Sequence, residues 1–127
     1  LCAVAEHGIV AETGSEVIAG STRMKAGTAQ KAILNLLSTQ IMLRLGHVHR
    51  GLMVDMRPQN TKLRGRATGM VASLAQVDDA TARAALEQTG WQIKPAILVA
   101  QGFTLADAGA ALDAAQGVLR RVPGDLE

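Results

Sequence analysis

Between Met24 and Leu45 the apolar positions Ile33, Leu37, Ile41 and Leu45 recur every fourth residue, which predicts a long helix. Leu34, Leu36, Met42 and Leu43 widen the apolar surface beyond one stripe. A helix apolar on most of its circumference is expected to be buried, either at the centre of a domain or in a subunit interface. Gly46 follows as its C-terminal cap. Upstream, Leu1, Ala3 and Ala5, then Ile9 and Val10, flank a polar Glu6-His7-Gly8 break. This reads as one or two short strands with no partner strand downstream. Unpaired strands are unstable alone, so the pattern is that of the C-terminal part of something larger. Residues 52–56, LMVDM, form a short apolar run interrupted by Arg57-Pro58. Asn60 is placed to cap a helix reaching about Leu74. Beyond it, Asp78 or Asp79 caps ATARAALEQTG, QIKPAILVAQG carries Pro95 in its first turn, and Thr104 caps LADAGAALDAAQG. Three short helices with glycine stops predict a small helical bundle, and a frayed tail begins at Pro123-Gly124.

Composition narrows the class. Of 127 residues 48% are apolar, but there is one Trp, one Phe and no Tyr. A core of Ala, Leu, Ile, Val and Met suits helices better than sheets. The single cysteine, Cys2, rules out an internal disulfide framework and fits a reducing compartment. No apolar run approaches the roughly 18 residues of a membrane helix, and no signal-peptide layout opens the sequence. A soluble, cytoplasmic protein without membrane contact is expected. Its net charge of +2 is unevenly spread: nine Lys/Arg face four Asp/Glu in residues 1–66, and four face seven in residues 67–127. The basic half could face a phosphorylated small molecule or form an ordinary solvated surface. Nucleic acid is not an expected partner, because no aromatic residues are interleaved with the charges.

Most of the residues that could carry chemistry lack the neighbours it needs. His47 and His49 alternate near Asp55, but no further His/Cys cluster completes a metal site, so a surface or loop role is expected. Cys2 and His7 lack the setting of a nucleophile and its base. Lys94 reads as part of a solvated surface. The stretch AGSTRMKAGTAQK, residues 19–31, is different. It has glycines, hydroxyls and three cations, yet it does not meet the Gly-x4-Gly-Lys-Ser/Thr phosphate loop. Ser21 and Thr22 sit where the helix begins and would either cap it or help attract an anion to its free N–H groups.

The run ETGSEVIAGSTRMKAGTAQKAILNLLSTQIMLRLG, then LMVDM and NTKL, resembles the C-terminal half of the N-acetylmuramic acid 6-phosphate etherases, of the sugar-isomerase (SIS) fold superfamily. LEQTGWQIKPAILVAQG is similar to the small ubiquitin-associated-like three-helix module that ends these enzymes. Two departures are visible: Gly14-Ser15-Glu16 where the family has Gly-Pro-Glu, and His47-Val48-His49 where Lys-Val-Tyr is usual. The resemblance implies a mostly α chain: the C-terminal remnant of an SIS α/β/α sandwich in residues 1–58, then a linking helix and ubiquitin-associated-like bundle in residues 59–127. It implies a carbon–oxygen lyase that cleaves the lactyl ether of N-acetylmuramic acid 6-phosphate to N-acetylglucosamine 6-phosphate and D-lactate, in amino-sugar catabolism and cell-wall recycling. Elimination followed by addition of water needs a base and an acid. The family assigns both to glutamates upstream, so no catalytic residue is expected here and residues 1–127 alone should be inactive. Glu12 and Glu16 are expected to be structural. No metal or organic cofactor is implied. Ser21 and Thr22, with Lys25 or else Arg23 as the cation, would line the sugar-phosphate site, while Gly20 and Gly27 permit close backbone approach. A homodimer is implied too. The alternatives are a sugar-phosphate-binding regulator of the same fold and a protein-binding role for the C-terminal bundle. Without upstream partners, the apolar surface of residues 1–57 should drive association or leave the N-terminal segment rearranged.

Overall fold

A computed structural model describes residues 4–123. Their elements are helix α1 (Lys25–Arg44), strands β1 (Val48–His49) and β2 (Leu52–Met53), and helices α2 (Thr61–Ala75), α3 (Asp79–Gln88), α4 (Ile93–Ala100) and α5 (Leu105–Ala114), closed by a 3-10 turn at Leu119–Arg121. The chain is mostly helical, as its composition predicts. It divides into two compact units, one running to Ile41 and the other starting at Met42.

In the first unit no strand forms within residues 4–24. The strand expected around Ile9 is absent because no partner strand is available to satisfy its backbone. The expectations for Leu1, Cys2 and Ala3, and for the tail from Gly124 onward, lie outside the described residues. The segment is irregular and largely exposed, including Ile9, Val10, Val17 and Ile18. Within this chain α1 is uncovered: none of its twenty residues is buried, and Leu34, Leu36 and Ile41 are all more than half exposed, so the described residues do not place it at the centre of a domain.

The second unit opens with the C-terminus of α1. There the His47 N–H donates to the Met42 carbonyl (3.0 Å) and the Gly46 N–H to that of Leu43 (3.2 Å). This is the Schellman pattern, with Gly46 left-handed at φ +75°. The strands pair antiparallel, Val48 opposite Met53 and His49 opposite Leu52. Arg50 and Gly51, at φ +48° and +77°, make the two-residue turn whose twist suits a hairpin.

Local caps then set the helices. The Asn60 side chain accepts from the Leu63 N–H (2.9 Å), and Asp78, rather than Asp79, accepts from the Thr81 N–H (2.7 Å). Thr104 accepts from the Asp107 N–H (3.1 Å) while donating to its carboxylate (2.7 Å). The core gathers Val54, Val71, Leu86, Ile93, Ile97, Leu98 and Leu119. Fully buried Ala67, Ala82, Ala96 and Ala108 let the helices approach closely without side-chain interference. At the α3–α4 corner Gly90 and Trp91 are both left-handed. The Trp91 ring is held by Arg64 of α2, whose guanidinium carbon lies 4.7 Å from the ring centroid.

Candidate functional site

The N-terminus of α1 carries no acidic residue in its first turn, so its free N–H groups need an acceptor from elsewhere. Neither expected cap supplies one. Among the described residues the hydroxyls of Ser21 and Thr22 make no hydrogen bond. The acceptor is Glu16, whose carboxylate takes the N–H of Lys25 (3.1 and 3.2 Å) and of Ala26 (3.0 Å). A carboxylate here opposes the positive end of the helix dipole.

The loop between Glu16 and α1 is closed at several points. Lys25 reaches back so that its Nζ donates to the Ser15 carbonyl at 2.6 Å. The Ser21 N–H donates to the Ile18 carbonyl (3.0 Å), and the Gly27 N–H to that of Thr22 (2.9 Å). This last bond explains Gly27: a Cβ there would stand 3.2 Å from the Thr22 oxygen. The close approach it permits is therefore to its own loop. Gly20 has φ +82°, a conformation glycine adopts without penalty. A cleft of about 340 Å³ opens beside the loop, lined by Ser15, Glu16, Ala19, Gly20, Ser21 and Thr22.

Of the four residues expected at the site, Ser21 and Thr22 share this cleft, Arg23 is exposed next to them in the chain, and Lys25 is tied to Ser15. Glu16 is the residue whose specific role the sequence did not disclose. The usable signal was a helix start with no acid in its first turn and a carboxylate a short loop upstream.

The second unit holds a different charged cluster. Lys94, expected on a solvated surface, is only 9% exposed and donates to Asp55 Oδ2 at 2.8 Å. His47 Nδ1 bonds the same oxygen. Asp55 thus joins the hairpin exit to α4, and the burial of Lys94 is the consequence of that partner. His49 is also buried rather than at a surface, and its Nε2 has no hydrogen-bond partner. Burial, reinforced by the charges of Arg50 and Arg120, holds its pKa below the usual histidine value. A cleft of about 360 Å³ borders Asp55 and Lys94, and none of the four expected site residues lines it. No group of three metal-ligating side chains forms among the described residues, and no helix there is long and apolar enough to cross a membrane.

No protein-family model matches the chain. Individual relatives do. The chain is 41% identical over 124 residues to the N-acetylmuramic acid 6-phosphate etherase of Halalkalibacterium halodurans, covering 97% of this chain and 42% of that protein. It is 48% identical over 118 residues to the etherase of Enterobacter sp. (strain 638), covering 92% and 40% respectively. It is 52% identical over 99 residues to that of Streptomyces coelicolor, covering 78% and 32%. The chain therefore spans less than half the length of the curated relatives it matches, as a C-terminal portion would. Similarity at this level across nearly all 127 residues means that the chain belongs to the N-acetylmuramic acid 6-phosphate etherase family.

Proposed function

We propose that the chain is the C-terminal part of a lyase that cleaves the lactyl ether of N-acetylmuramic acid 6-phosphate, releasing D-lactate and N-acetylglucosamine 6-phosphate. The observation that carries this reading is the 41% identity over 97% of the chain to a protein bearing that activity in its name. The loop of residues 16–26 supports it, because it presents hydroxyls and a cation on a frame fixed by its own hydrogen bonds. In this reading the loop is one wall of the sugar-phosphate site. The base and acid of the elimination come from parts of the enzyme outside residues 1–127.

The same reading makes residues 1–58 a part of an SIS domain and residues 59–127 a linking helix with a ubiquitin-associated-like bundle. The exposed apolar residues of α1 support a position inside that domain or at a homodimer interface. Cytoplasmic work in cell-wall recycling follows from the substrate.

The test is D-lactate release from N-acetylmuramic acid 6-phosphate, measured for residues 1–127 alone and for the longest product the gene encodes. Release by the longest product only is the expected result. Release by residues 1–127 alone would contradict the assignment of chemistry elsewhere and reopen Glu12 and Glu16. Release by neither would put the non-catalytic regulator ahead.

A further inference from the structure

Three cations lie in residues 19–31, and charge alone does not say which of them meets a ligand. Their surroundings do. Lys25 is engaged across the base of the loop, its ammonium 2.6 Å from the Ser15 carbonyl. The N-terminus of α1, the other natural seat for an anion, is already taken by the Glu16 carboxylate. A phosphate placed there would meet that negative charge at short range and be repelled. Arg23, by contrast, is exposed and forms no hydrogen bond or ion pair among the described residues. Its guanidinium is a planar fork suited to carboxylate and phosphate oxygens. The adjoining cleft holds no cation: it is lined by Ser15, Glu16, Ala19, Gly20, Ser21 and Thr22. Small side chains with the hydroxyl-bearing Ser21 and Thr22 among them suit the uncharged ring and hydroxyl groups of an amino sugar rather than its anionic groups.

Resting on the sugar-phosphate reading above, we infer that recognition is divided along this loop. Glu16 and Lys25 are positioning residues that brace it. The Glu16–Ser21–Thr22 cleft receives the uncharged groups of the sugar. Arg23 meets an anionic group of the substrate, its phosphate or its lactyl carboxylate. This reverses the expected order of the cations, in which Lys25 came before Arg23.

The test measures affinity in the longest form of the protein its gene encodes, with three probes. These are N-acetylmuramic acid 6-phosphate, N-acetylglucosamine 6-phosphate, which lacks the lactyl group, and N-acetylmuramic acid, which lacks the phosphate. Arg23→Ala should weaken by about tenfold to a hundredfold only those probes that carry the anion Arg23 meets, the range of a lost charge-assisted hydrogen bond. A loss confined to the two phosphorylated probes identifies the phosphate, and a loss confined to the two lactyl probes identifies the carboxylate. Lys25→Met should weaken all three by one common factor. Glu16→Ala should do the same, and Glu16→Gln, which keeps an acceptor for the helix N–H groups, should restore most of the affinity. Circular dichroism confirms that each variant is folded. The inference is overturned if Arg23→Ala leaves all three affinities within twofold, or if Lys25→Met is the variant that discriminates among the probes. If the unsubstituted protein binds none of them, the sugar-phosphate reading itself fails and takes this inference with it.

Discussion

At the scale of single residues, the two surprises are a buried lysine and a buried histidine, Lys94 and His49. Removing one partner of a buried pair leaves the other charge uncompensated. Asp55 is itself partly exposed, so Asp55→Ala, which leaves the Lys94 ammonium without its partner, should cost about 1–3 kcal/mol in chemical denaturation of the protein. Adding Lys94→Met to that variant should restore most of the loss, and simple additivity of the two costs would refute the coupling. For His49 the sign is set by its lowered pKa. The imidazole stays neutral in the fold while the unfolded chain protonates first. Its contribution to stability is therefore complete above the ordinary histidine pKa and is lost as pH falls from there through the lowered folded value. Denaturant midpoints at pH 7.5 and 5 should differ less in His49→Gln than in the unsubstituted protein. An equal difference in both would show that His49 does not carry the effect. Neither position was legible in sequence: Lys94 owes its burial to Asp55, 39 residues away, and His49 to packing that no local pattern records.

At the scale of elements, what is local was readable and what is paired was not. The caps at Asn60, Asp78 and Thr104 depend on a side chain and an N–H three residues on, so the spacing alone marks them. The hairpin of residues 48–53 is not legible in the sequence because Arg50-Gly51 is an unusual form of a turn normally signalled by Asn-Gly. The strand expected near Ile9 failed for the complementary reason, a suitable pattern without a partner. Gly46 combines both kinds of information. Its cap role was visible, but its second constraint was not: a Cβ there would lie 2.9 Å from a Val118 methyl. Gly46→Ala should therefore cost more than the roughly 1–2 kcal/mol of a left-handed alanine, since overpacking adds about 1–3 kcal/mol. A thermal shift no larger than that of a solvent-facing left-handed glycine such as Gly20 would show that Val118 yields freely.

At the scale of the whole molecule, α1 is the element whose surroundings matter most. A helix with Leu34, Leu36, Leu37 and Ile41 exposed leaves more apolar surface uncovered than isolated surface leucines would. The periodicity announced a helix that should be buried, while the structure of this chain shows the same residues facing outward. Both statements agree if the covering surface lies outside residues 1–127 or on a second copy. Light scattering at micromolar concentration should then give a mass above the 13.3 kDa of one chain, and Leu37→Glu with Ile41→Glu should lower it. A monomer before substitution would count against the dimer.

The proposed place of the loop of residues 16–26 in the substrate site can be tested through Ser21 and Thr22, which line the cleft together with Glu16. The measurement is kcat/KM for D-lactate release from N-acetylmuramic acid 6-phosphate, comparing the longest gene product with its Ser21→Ala, Thr22→Val variant. Loss of two hydrogen bonds to substrate predicts a fall of about tenfold to a hundredfold with the fold intact. An unchanged kcat/KM would mean that the loop is scaffold and that the sugar phosphate binds elsewhere.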